Sequence, residues 1–165
     1  MAGTFSFDVV SDFDRQELVN AVDQTLREIR TRYDLKDSKS EIKLEDERLV
    51  ITSDSEYHIT AIKDLLETKV LRRNLSIKIL DWGKIEEAGG NTSRQVVTLR
   101  KGIADDVARK INKQIREAFP KAQPQVQGDA LRVQAKSKDE LQAVIKFLRE
   151  HEADYPMPLQ YTNYR

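Results

Sequence analysis

A block of residues recurs 82 positions further along this 165-residue chain: Leu49 answers to Leu131, Ile51 to Val133, Ser55 to Ser137, Ile59 to Leu141, Ala61 to Ala143 and Leu66 to Leu148. An earlier stretch recurs at an offset of 89, pairing Leu18 with Val107, Val22 with Ile111 and Arg27-Glu28 with Arg116-Glu117; the difference in offset reflects a longer first loop around residues 31–40. This is the mark of an internal duplication. Each copy must then build its own small core, because a chain of this length supports two half-size units but not one large enzyme.

The periodicity within each copy predicts the elements. Phe5, Phe7 and Val9 alternate with polar residues, as a half-buried strand does. Leu18, Val22, Leu26 and Ile29 then recur at helical spacing after a cap at Asp12 or Asp14. Ile42, Leu44, Leu49 and Ile51 predict a hairpin, Ser53 or Ser55 caps a second helix carrying Ile59, Ile62, Leu65, Leu66 and Val70, and Ile77 and Ile79 predict a strand. The second copy repeats the order: a strand at Val97 and Leu99, a helix opened by Gly102 with Val107, Ile111, Ile115 and Phe119, and a hairpin about Gly128-Asp129. A Ser137-capped helix with Leu141, Val144 and Leu148 follows, then a closing strand over residues 159–164. The expected fold class is α+β: two ferredoxin-like βαββαβ domains, residues 1–82 and 92–165, joined by a linker at 83–91, each an antiparallel sheet with helices on one face.

Composition removes several alternatives. No apolar run exceeds three residues, whereas a membrane span needs about 20, so the chain reads as cytosolic with no membrane partner. There is no cysteine, and the two histidines, His58 and His151, lie far apart, so a thiolate nucleophile or a Cys-ligated metal is excluded. No phosphate-cradling loop, dinucleotide fingerprint or His-Glu-x-x-His pair is present, and Gly89-Gly90-Asn91 is too short to cradle a triphosphate. The adjacent carboxylates Glu86-Glu87 and Asp105-Asp106 read as surface charge. Net charge is zero, yet residues 1–83 carry 13 basic and 17 acidic groups while 84–165 carry 15 and 11, which directs an anionic partner to the second half.

The chain resembles the YajQ family over essentially its whole length. The resemblance rests on Ser6-Phe7-Asp8-Val9-Val10-Ser11, Asn20-Ala21-Val22, Arg27-Glu28-Ile29, Thr31-Arg32-Tyr33-Asp34, Gly83-Lys84-Ile85-Glu86-Glu87-Ala88, Arg94-Gln95, Gln127-Gly128-Asp129, Arg132-Val133, Asp139-Glu140-Leu141-Gln142 and Asn163-Tyr164-Arg165. It implies two ferredoxin-like domains, leaving open an exchange of their first strands. It further implies a cytosolic bacterial protein with no established enzymatic activity that binds nucleotides or RNA, some members being described as receptors for cyclic di-GMP. The charge split directs that ligand, cyclic di-GMP, ATP, GTP or RNA, to the basic second half and the region between the halves, and the missing catalytic motifs make a binding protein without enzymatic activity or cofactor the expectation.

The residues themselves suggest where a nucleotide would bind. With Leu131, Val133 and Ala135 inward, Arg132, Gln134 and Lys136 face outward beside Gln125 and Gln127; amides read base edges and cations take phosphate. Arg109, Lys113 and Arg116 form a basic helix stripe next to Arg100 and Lys101, and Trp82, on the open side if Ile77 and Ile79 face inward, is placed to stack a purine or to pack at the domain junction. The competing readings are solvated polar faces, a protein–protein interaction module and, less favoured, a nucleic-acid-processing enzyme. An RNA-recognition-motif mechanism is disfavoured, because the positions that would stack bases are polar.

Overall fold

The computed structural model describes residues 4–165. In chain order its elements are β1 (Phe5–Val10), α1 (Arg15–Thr31), β2 (Glu41–Leu44), β3 (Arg48–Ser53), α2 (Glu56–Arg72), β4 (Leu80–Ala88), β5 (Thr92–Leu99), α3 (Asp105–Ala118), β6 (Gln123–Gln127), β7 (Ala130–Ala135), α4 (Lys138–Glu150) and β8 (Gln160–Thr162). The caps are those the sequence predicts: Asp14 accepts from the backbone N–H of Gln16 and Glu17, Ser55 from His58, and Ser137 from Asp139 and Glu140.

Two four-stranded antiparallel sheets result, in the orders β6-β7-β1-β8 and β2-β3-β5-β4. Both are the ferredoxin-like order, but only because each copy's first strand lies in the other copy's sheet. The cause is local to the β4–β5 connection. Ala88 pairs with Thr92 across Gly89, Gly90 and Asn91, and Gly90 and Asn91 sit at φ 70° and 59°, so a tight hairpin holds β5 beside β4. Deprived of β5, the second sheet takes β1 instead.

The chain therefore divides into a unit of residues 13–100 and a unit of residues 4–12 with 101–165. In the first, α1 and α2 cover the sheet over a core that includes Leu18, Leu49, Ile51, Ile59, Ile62, Leu66 and Val97. In the second, α3 and α4 cover Phe7, Val9, Leu131 and Val133 with Ile111, Ile115, Val144 and Leu148.

Four sequence expectations are corrected. Residues 83–91 are not a linker and do not mark the boundary between units: Gly83 lies in β4 at a register shift between Trp82 and Ile85, and the following residues complete the hairpin. A Cβ at Gly83 would stand 2.9 Å from the Val96 carbonyl oxygen, so the strands approach there more closely than a side chain allows. Ile77 and Ile79 form one 3₁₀ turn, with the strand beginning at Leu80; Ser76 caps that turn by accepting from Lys78 N–H. Gly102 does not open α3, which starts at Asp105; at φ +84° it makes the bend before it. Finally, the charge asymmetry vanishes: residues 13–100 carry 16 basic and 17 acidic groups, and the remainder 12 and 11. Where cations cluster locally matters, not which half holds them.

Candidate nucleotide-binding site

The open face of the β6-β7-β1-β8 sheet is built by simple alternation. Gln123, Gln125 and Gln127 are exposed on β6, the edge strand, where Pro124 is tolerated. Register sets Gln134 beside Gln123 and Ser6, and Arg132 between Gln125 and Asp8. The central strands thus offer Asp8, Arg132 and Gln134, with Ser6 buried beside Gln134 and no aromatic platform for stacking a base.

Arg132 is not a free phosphate ligand. Its Nε donates to Asp8 Oδ1 at 2.9 Å and its Nη2 to Oδ2 at 3.4 Å, while Asn163 Nδ2 donates to the same Oδ2 at 2.8 Å. The Arg132 hydrogen bond holds the Asp8 carboxyl below its ordinary pKa, against the upward push of burial. A lowered carboxylate pKa means that the pair's stabilisation is fully present above the unfolded-state value, near 3.8, and fades as pH falls through the lower folded value. Asp8→Asn should accordingly be destabilising at neutral pH, by no more than about 1 kcal/mol because solvent screens so exposed a pair. In urea melts, the gap to the parent protein should close below about pH 4; a gap independent of pH would mean that the charge contributes nothing.

The cations that remain available gather at the β6 edge. One hollow of about 590 Å³ is bordered by Arg116, Gln123, Gln125 and Gln134, and a second of about 510 Å³ by Lys121, Gln123, Lys136, Ser137 and Glu140. Pro120 and Gln123 border both. Arg116 Nε donates to the neutral Asn112 Oδ1 at 2.7 Å, and among the described residues no carboxylate lies in ion-pair range of Arg116, Lys121 or Lys136. Amides that can donate and accept thus stand among three cations outside any ion pair, with the Glu140 carboxylate on the wall of the second hollow.

The other expected site residues are dispersed. Gln127 is exposed at the far end of β6, at the turn. Arg109 pairs with Asp105 at 2.8 Å and Lys113 with Glu117 at 3.9 Å, both one helical turn apart, so these two members of the stripe are solvated and compensated on their own helix. Arg100 belongs to the 13–100 unit, where Nη1 donates to the Lys78 carbonyl at 3.0 Å and Nη2 meets Asp81 at 3.3 Å. Trp82 pairs in register with the buried Val97, facing the helices and not, as expected, the open side, and the Lys63 ammonium lies 5.1 Å from its ring centre; it packs against the core of the 13–100 unit. His58 is engaged as part of the α2 cap, its Nδ1 2.8 Å from Ser55 Oγ.

Sequence reading missed Gln123 and Lys121 because Pro120 and Pro124 mark a loop there. The period-2 recurrence of glutamine at 123, 125 and 127 was the available signal. Among the described residues, no group of three or more His, Cys, Asp or Glu could hold a metal ion, and no helix is long and apolar enough to cross a membrane.

Fold and site together define a duplicated, strand-exchanged ferredoxin-like protein with a polar, cationic sheet edge. Sequence comparison places it further. The family described as "Nucleotide-binding protein YajQ-like" matches residues 5–165, and the chain belongs to that family. Among its relatives, a nucleotide-binding protein of Chloroflexus aggregans is 62% identical and one of Roseiflexus sp. (strain RS-1) 58% identical, each over 100% of both chains. One of Synechococcus elongatus is 58% identical, again over the full length of both.

Proposed function

We propose that this protein binds a purine nucleotide, cyclic di-GMP being the first candidate ahead of ATP and GTP, at the β6 edge of the unit formed by residues 4–12 and 101–165, and that it does so in the cytoplasm without chemical turnover. The observation that carries the reading is the pair of hollows sharing Gln123, where glutamine amides that can pair with a base edge line the same walls as Arg116, Lys121 and Lys136, none of which is in an ion pair among the described residues. Hollows of this size fall in the range that holds small ligands. The family's description and the names of its relatives, which are those of binding proteins and not of enzymes, support the class of ligand and the absence of turnover. RNA would use the same amides and cations along its backbone, which makes it the second ligand to test.

Calorimetry against cyclic di-GMP, ATP, GTP and a short RNA tests the proposal. Binding should weaken with added salt, since phosphate contacts release counterions. Arg116→Ala with Lys136→Ala should reduce affinity about tenfold or more, on the scale of lost charge-assisted hydrogen bonds. Unchanged affinity with intact circular dichroism would remove the site from consideration. A mass-spectrometric time course should return the nucleotide uncleaved.

A further inference from the structure

The 13–100 unit carries a second concentration of positive charge, although residues 1–83 are acidic in sum. Gln24, Arg27, Glu28 and Thr31 lie at i, i+3, i+4 and i+7 on α1 and so form one stripe, while Lys69, Arg72 and Arg73 form the facing stripe on and just after α2. Together they line a groove of about 630 Å³. Four of the seven lining residues are cations, and one, Glu28, is a carboxylate.

That carboxylate is already committed. Lys69 is buried, and its ammonium donates to Glu28 Oε1 at 3.0 Å. Arg73 reaches out of the groove toward Glu17, at 3.7 Å. Arg27 and Arg72 are exposed, and their guanidiniums take part in none of the side-chain hydrogen bonds or ion pairs among the described residues. Cations in the last turn of a helix are favoured by its dipole, which accounts for Lys69 and Arg72. It does not account for Arg27, which precedes the last turn of α1. Two unpaired guanidiniums lining one groove repel each other, and a multiply charged anion between them would remove that repulsion while accepting their planar pairs of donors. Gln24 and Thr31 add neutral polar groups to the wall.

We propose that the α1–α2 groove is a phosphate site that takes adjacent phosphate groups, a diphosphate or triphosphate moiety or successive phosphates of a nucleic-acid backbone. The site is separate from the β6 edge and does not depend on the assignment made there.

The test uses the full chain at low ionic strength, where exposed charges are least screened, with sodium tripolyphosphate and a 10-nucleotide RNA as probes. Tripolyphosphate should bind by calorimetry and raise the melting temperature. Arg27→Ala with Arg72→Ala should weaken that binding about tenfold or more, whereas the paired lysine substitutions retain most of it, and Arg116→Ala with Lys136→Ala leaves a tripolyphosphate site in place. RNA that displaces tripolyphosphate only when Arg27 and Arg72 are present assigns the groove to a nucleic-acid backbone; RNA that fails to displace it assigns the groove to a free polyphosphate group. The proposal is overturned if neither probe binds the parent protein, if the Arg27/Arg72 variant binds tripolyphosphate as tightly as the parent, or if the Arg116/Lys136 variant abolishes binding.

Discussion

Phe7→Ala should destabilise this protein by about 3 to 5 kcal/mol, the cost of emptying a fully buried aromatic position. The damage should fall on residues 101–165, although Phe7 lies near the other end of the chain. Its ring is wholly buried, with Tyr161 edge-on at 6.1 Å and Tyr164 stacked at 6.2 Å, within the core formed by α3, α4 and β7. Its strand is central, hydrogen-bonded to β7 on one side and β8 on the other, so loosening it unpairs both neighbours. Hydrogen exchange read by mass spectrometry should show protection falling in β7, α4 and β8 while β2, β3 and β5 keep theirs. Protection lost from β2 to β5 instead would mean that the strands are not exchanged in solution. Removal of residues 1–12 should give the same pattern, more severely.

Gly102→Ala should cost about 2 to 3 kcal/mol, a large effect for one methyl group. The residue lies at φ +84°, where an L side chain is strained, and a Cβ would meet Asp129 Oδ2 at 2.5 Å and Asp129 Cβ at 2.9 Å. The bend also ties three segments together: Gly102 N–H donates to the Ser11 carbonyl at 2.6 Å, and Ile103 N–H to the Asp129 carbonyl at 2.8 Å. Urea denaturation of the single variants and of Gly102→Ala with Asp129→Gly separates the two contributions. The steric part should show as a coupling between the sites, and the backbone part should persist in the double variant. Full additivity would show that the contact with Asp129 relaxes without cost.

Much of this architecture was legible in the sequence. The stripes Leu18, Val22 and Ile29, then Ile59, Ile62, Leu66 and Val70, are buried as their spacing predicts, and so are the second copy's Ile111, Ile115, Leu141, Val144 and Leu148. Gly128-Asp129 makes the expected turn, with Gln127 opposite Ala130 and Gly128 at φ 60°. The candidate site was half legible. Gln134 and Lys136 border the hollows, but Arg132 is held by a partner 124 residues away, and Arg100 and Trp82 belong to the other unit. Ion pairs at such separations leave no periodic trace, whereas the i, i+4 pairs that neutralise Arg109 and Lys113 could have been read from spacing alone.

Periodicity belongs to a few adjacent residues and survives any choice of partner, which is why element order, buried stripes, caps and the duplication follow from the chain itself. Pairing is different. A strand such as Phe5–Val10, with an apolar face and a polar one, fits either sheet, and nothing local to it chooses between them. The choice was made elsewhere, by the turn at Gly90 and Asn91 that keeps β5 beside β4 and leaves the second sheet short of a central strand. With that strand and the residues after it went Asp8 and Asp12, while residues 84–100 joined the first unit through β5, so the balance of charge between the two units was decided by where two strands pair and not by where they lie in the sequence.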